Sequence, residues 1–232
     1  MIYITGDTHG DFNRIDYFCR LNNTTKDDIL IILGDTGLNY YGGKKDVKRK
    51  QQVSDFPITI FSIHGNHENR PENIDTYKTK EFHSGIVYYE EEYPNILFAK
   101  DGEIFNFNGL KTLVIGGAYS IDKHYRLLNG WNWWEDEQPS EETKKIVEEK
   151  LENLNWNIDV ILTHTCPLSL EPREWFLKFV DQSTVDKTTE TWLENIREKL
   201  DYKYWFCGHF HGEKKTEEIE FFFETTKEFP NN

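Results

Sequence analysis

Five short clusters of Asp, Asn and His, most of them beside Gly, stand out along the chain. They are Gly6-Asp7-Thr8-His9-Gly10, Gly34-Asp35, Gly65-Asn66-His67-Glu68, His164 and Gly208-His209-Phe210-His211. Oxygen and imidazole donors without an essential thiolate suit Mn²⁺, Fe or Zn²⁺, and suit Ca²⁺ poorly. The donors are too many for one tetrahedral ion and about right for two ions sharing a carboxylate. Two such ions, roughly 3.5–4 Å apart, can hold a hydroxide between them and clamp phosphoryl oxygens during in-line attack. Gly-Asp and Gly-Asn are ordinary turn dipeptides when met singly. A turn reading does not account for all five clusters at once.

Each cluster follows a short apolar run that reads as a buried strand: residues 2–5, 29–33, 58–63, 159–162 and 204–206. Residues 113–115 are a further strand, and 96–98 a weaker one. Helical spacing appears over 141–154, with Val147, Leu151 and Leu154 on one face and Ser140 as N-cap. It recurs over 188–200, where Trp192, Ile196 and Leu200 fall at four-residue intervals. Strands alternating with helices point to an α/β layered domain. In open α/β sheets, sites form beyond the carboxyl ends of the strands, where these clusters fall. Residues 219–226 are β-prone, residues 230–232 are expected to fray, and 129–139 reads as a long loop carrying Trp131, Trp133 and Trp134. That loop either caps a flat group over the site or packs as a surface loop or dimer contact.

The series GDTHG, GDTG, GNHE, TH and GHFH resembles the calcineurin-like metallophosphoesterase superfamily, with all five blocks in order from residue 6 to residue 211. The resemblance implies two packed mixed sheets flanked by helices, a four-layer αββα sandwich, as one domain over 1–232 with an aromatic loop insertion around 119–139. It implies that Asp7, His9 and His211 bind one metal, that Asn66, His164 and His209 bind a second, and that Asp35 bridges them. His67 then protonates the leaving oxygen or stabilises the transition state, and Glu68 orients His67 or the metal ligands. Two divalent ions are implied, Mn²⁺ foremost, with Fe or Zn²⁺ as alternatives. Protein phosphatases of the superfamily carry an Arg shortly after the Gly-Asp block. Here the run is Gly34-Asp35-Thr36-Gly37-Leu38-Asn39, without one. Gly116-Gly117-Ala118-Tyr119-Ser120, followed by Asp122, Lys123 and Arg126, is similar to stretches in small bacterial and phage metallophosphoesterases. Lys123, Arg126 and Arg70 are the candidate cations for the substrate phosphate.

The expected reaction is hydrolysis of a phosphate ester: a small phosphomonoester, a nucleotide-like compound or a phosphoprotein. A phosphodiesterase or nuclease of the same superfamily is the alternative, and a non-catalytic binding module is a third reading. With 232 residues and a formal net charge of −14, the chain is a poor nonspecific binder of nucleic acid or anionic membrane. Cys19, Cys166 and Cys207 are too few for a disulfide framework and fit a reducing compartment. Residues 1–5 carry neither a basic region nor a long apolar stretch, so no secretory signal is expected, and the protein reads as cytoplasmic. His64, His83 and His124 match no family position and are expected to be structural or exposed, with His64 a candidate to line the pocket.

Overall fold

Strands buried on both faces carry continuous apolar runs, because neither face meets water. β1 (Ile2–Thr5), β2 (Ile29–Ile32) and β3 (Thr59–Ser62) are of this kind, and they pair in parallel in the computed structural model, which describes residues 1–232. β3 also pairs in parallel with β6 (Tyr93–Ala99). The hairpin of β4 (Lys78–Phe82) and β5 (Gly85–Glu90) extends the sheet beyond β6. A second sheet contains β7 (Ile104–Phe107), β8 (Leu110–Ile115), β9 (Val160–Thr163) and β10 (Tyr204–Cys207). Its last three strands are parallel. β11 (Lys214–Lys215) and β12 (Glu220–Phe221) lie beyond β10, while β13 (Lys227–Glu228) returns to the free edge of β1.

Alternate side chains of each strand enter different layers. Ile2, Ile31 and Phe61 from the first sheet meet Val114, Leu162 and Phe206 from the second in one core between the sheets. On the outer face of the first sheet, Tyr3, Leu30 and Ile60 pack on Phe12, on Ile15 and Cys19 of α1 (Asn13–Asn22) and on Val53 of α2 (Lys44–Ser54). On the outer face of the second, Leu113, Ile161 and Trp205 pack on α4 (Glu141–Asn153) and α5 (Thr188–Arg197). The short helix α3 (Lys123–Leu128) lies between β8 and α4. The result is the expected αββα sandwich. Ser140 caps α4 by accepting from the Thr143 N–H at 3.1 Å, as its sequence position suggests.

The structure departs from the sequence reading in several elements. α1, α2, α3 and the strands β4, β5 and β7 lie outside that reading. Six of the eleven residues of α2 are charged, and it anchors through Asp46, which accepts from the N–H groups of Tyr41 and Gly42, and through a Lys50–Glu90 ion pair. Residues 219–226 form only the two-residue β12, because the chain must leave β10 to reach β1. The C-terminus is tied down up to Pro230, whose carbonyl accepts from Asn108, and Phe229 is buried between the sheets. No helix is long and apolar enough to cross a membrane.

Candidate metal centre

The loops leaving β1, β2, β3, β9 and β10 converge, and they carry every expected ligand. His9, Asp35, His209 and His211 all adopt positive φ, between 47° and 66°. Non-glycine residues rarely do so, at a cost of order 1–3 kcal/mol each. The backbone is thus held against its preference at four of the positions that converge.

His9 Nε2 and His211 Nε2 lie 2.8 Å apart, and Asp7 Oδ2 is 3.7 and 3.4 Å from them. Asn66 Oδ1 lies 2.9 Å from His164 Nε2 and 3.1 Å from His209 Nδ1. Asp35 stands between these two groups, with Oδ2 3.7 Å from His9 Nε2 and 3.6 Å from His164 Nε2. Asp35 Oδ1 accepts the His67 backbone N–H at 2.7 Å, and Asp7 Oδ1 accepts that of His209 at 3.0 Å. Each carboxylate is therefore oriented by one oxygen while the other faces imidazoles.

The glycines beside the ligands make room as well as turns. A Cβ on Gly65 would lie under 3.0 Å from Asp35 Oδ1, and one on Gly208 equally close to Asp7 Oδ1. One on Gly34 would strike His164 Nδ1. Each glycine next to one ligand is thus the space another ligand occupies. Only Gly34 of these three also has positive φ, at 97°.

The set fits divalent cations. Asp7 and Asp35 are both buried, and Asp7 Oδ2 has no hydrogen-bond partner. A buried carboxylate oxygen left unpaired is strongly unfavourable unless a cation compensates it. Burial pushes the Asp7 carboxyl up, but His164, His211 and His9 outweigh it and hold Asp7 below the usual range. Asp35 is likewise driven up by burial and further down by His164, His67 and His9. Burial takes His209 down to about 3, leaving its ring neutral and able to ligate.

Around this centre lie groups that position the ligands. Glu68 Oε1 accepts from the Gly65 N–H at 3.0 Å and so braces the loop carrying Asn66 and His67. Burial, together with the charge of Asp35, raises the Glu68 carboxyl to about 8. The acid facing His67 is Asp122, whose Oδ1 is 4.0 Å from His67 Nε2. Ser120 Oγ accepts from Asn66 Nδ2 at 2.9 Å, which turns the amide oxygen toward His164 and His209. Ser120 N in turn donates to Glu137 Oε1, and Trp133 Nε1 donates to Glu137 Oε2. Ser120 lies inside the glycine-rich stretch singled out in the sequence, but its role depends on a tertiary contact that no local spacing encodes.

The three candidate cations have different surroundings. Arg70 is buried, donating to Asp101 Oδ2 at 2.7 Å and to the Asp136 carbonyl at 2.6 Å, and it lines neither cleft at the centre. Lys123 Nζ sits 3.9 Å over the Trp133 ring and also lies off both clefts. Arg126 lines a cleft of about 470 Å³ with His9, His67, Arg49, Tyr40 and Trp131, and its Nη1 has no partner. Removing one member of a buried ion pair typically costs about 3–5 kcal/mol. Arg70→Ala is therefore expected to lower Tm by roughly 10 °C in thermal unfolding with KM little changed. Arg126→Ala is expected to raise KM.

The aromatic loop divides between both readings of it. Trp131 stands at the rim of the Arg126 cleft, while Trp134 packs edge-on against Tyr40. His64 is buried, with neither ring nitrogen bonded, and lines neither cleft at the centre; His83 and His124 are exposed. The Cys166 and Cys207 thiols are buried and pushed far up by burial, so neither offers a thiolate.

Residues 1–213 match the calcineurin-like phosphoesterase family. The TT1561 protein of Thermus thermophilus shares the fold, at 13% identity and TM-score 0.50 over 95% of this chain and 87% of that one. A phosphopantetheinyl hydrolase from Mycobacterium tuberculosis is similar at 13% identity and TM-score 0.47, over 96% and 87% of the two chains. No functionally curated protein matches. Five strand ends that gather Asp, Asn and His in the family's order, and a family match covering nearly the whole length, lead to one assignment: the chain belongs to the calcineurin-like phosphoesterases, metal-dependent hydrolases of phosphate esters.

Proposed function

We propose that the protein hydrolyses a small phosphomonoester or nucleotide-like substrate with two divalent ions, Mn²⁺ foremost. The observation that carries this reading is Asp35, whose Oδ2 lies at near-equal distances from His9 and His164, members of two separate ligand groups. Asp7, His9 and His211 would hold one ion, Asn66, His164 and His209 the other, with Asp35 shared. The ions supply positive charge for the phosphoryl oxygens and lower the pKa of an attacking water. Arg126, the one of the three candidate cations that lines the adjoining cleft, binds a non-bridging phosphate oxygen. His67 is within reach of the ester oxygen because it lines both clefts that open at the centre. Burial lowers its pKa despite the Asp35 charge.

The test is purification without chelators, followed by metal analysis and a phosphoester panel. About two equivalents of metal with turnover support the reading; one equivalent, or none under saturating Mn²⁺, counts against it. His67→Asn is expected to lower kcat about 10²-fold, the ordinary contribution of a general acid, with metal content unchanged. A parallel loss of metal would make His67 a ligand instead. A phosphodiester is the second reading, favoured by two clefts that share His67 and Asp122 and are otherwise lined by different residues. Rates on p-nitrophenyl phosphate and on bis-p-nitrophenyl phosphate separate the two.

A further inference from the structure

The second of those clefts is a cavity of about 590 Å³ with a mixed lining. Asp35, Asn66 and His209 line it, so it is continuous with the candidate metal centre. Trp175, Phe176, Leu177, Val185 and Phe210 supply most of its apolar wall. Trp175 and Phe176 belong to residues 168–184, a run of short 3-10 turns with no helical or strand period. Phe176 stacks on Phe210 with ring centroids 6.3 Å apart, and Trp175 packs edge-on against Phe221, which ties this wall to the second sheet.

The cavity's charged groups are unequal. Lys187 is already paired, with Nζ 2.6 Å from Glu171 Oε1. Glu190, on α5, is 4% exposed; its Oε1 accepts from Thr165 Oγ1 at 2.7 Å, and its Oε2 has no partner. A buried carboxyl oxygen without a donor is a binding feature that waits for one. A volume of this size suits a small organic group, and the apolar wall suits one that is not polyanionic.

We propose, resting on the phosphoesterase reading, that this cavity receives the organic part of the ester, and that the favoured substrate is the phosphate of an apolar alcohol bearing an O–H or N–H that donates to Glu190 Oε2. A second phosphate in this arm would meet the Glu190 carboxyl and an apolar wall. The inference therefore points away from nucleoside polyphosphates and toward a neutral, amphipathic alcohol.

Primary alkyl phosphates provide the test, because their leaving groups differ little in acidity while their apolar length varies. With Mn²⁺ supplied, kcat/KM is measured for ethyl, butyl, hexyl and octyl phosphate and for their ω-hydroxy counterparts. In the wild type kcat/KM should climb about threefold per added methylene until the cavity is filled. At one chain length the ω-hydroxy ester should be preferred about tenfold. Phe176→Ala should flatten the climb. Glu190→Leu, with neither acceptor nor donor for the hydroxyl, should bring the hydroxy-to-alkyl ratio near one. Turnover that is independent of chain length in the wild type would overturn the inference and leave the hydrolase standing. A climb with no hydroxy preference at any length would overturn the role of Glu190. Absence of turnover on every ester would overturn the underlying reading and this one together.

Discussion

Asp35→Asn is expected to lower kcat/KM by about 10³-fold or more and to remove at least one equivalent of bound metal. Asn retains the side-chain oxygen that accepts the His67 N–H, so the loop that presents His67 keeps its anchor. Asn also tolerates the left-handed backbone that residue 35 adopts, at φ 49°. The substitution therefore removes charge and leaves shape. What is lost is the anionic oxygen that faces both His9 and His164, and with it several kcal/mol of electrostatic support for cations; each 1.36 kcal/mol is a factor of about ten in rate. Stability should fall as well in the metal-free protein. Burial pushes the Asp35 carboxyl up, but His164, His67 and His9 outweigh it and hold the group below its ordinary range, so folding favours its ionised form and that contribution is present at neutral pH. Metal-free Asp35→Asn should thus melt below the metal-free wild type. Added Mn²⁺ should raise the Tm of the wild type, because a ligand that binds only the folded state stabilises it by mass action, and should do so far less for the variant. Full metal content with wild-type turnover in Asp35→Asn would remove the shared-carboxylate assignment.

The parts of this site legible in the sequence are those that strand burial makes local. β1, β2, β3, β9 and β10 are short apolar runs, and a polar cluster at the end of each can be read without knowing which strands are neighbours. The positioning groups are different in kind. Ser120 reaches Asn66 across 54 residues, and Glu190 reaches Thr165 across 25. Neither contact leaves a periodic trace. Glu68 shows the same gap at close range: its place beside His67 leaves open whether it serves His67 or the metal ligands, and its carboxyl accepts from the Gly65 N–H, on the loop that carries both Asn66 and His67. α2 carries too few apolar residues to show a stripe and β4 is largely polar, although Val53 of α2 and Val87 of β5 both reach the buried cores. The apolar wall at Trp175 and Phe176 is built from turns, where apolar residues carry no period at all.

A glycine beside a ligand can serve a sharp turn or simply leave room, and at Gly65 the two roles separate in a way that supports the second large prediction. A turn residue is expected to need positive φ, but Gly65 has none. Its absent side chain is what matters, because a Cβ there would meet Asp35 N, Cγ and Oδ1, all under 3.0 Å. Two of those atoms belong to the carboxylate between the ligand groups and one to the backbone, so no rotamer change relieves the clash. Gly65→Ala must push the Asp35 turn and the Asn66 loop apart. Misplacement of about 1 Å in a catalytic constellation costs on the order of 10²-fold, and here two ligands move together, so a loss near 10³-fold in kcat is expected, with reduced metal content. Gly42→Ala is the matching control. Gly42 has φ 69°, yet nothing lies within 4 Å of a Cβ built on it. That variant should lose about 1 kcal/mol of stability through its backbone and keep its metal and its turnover. If Gly65→Ala instead behaves like Gly42→Ala, the strand ends are not interlocked as described, because only their mutual contact distinguishes the two positions.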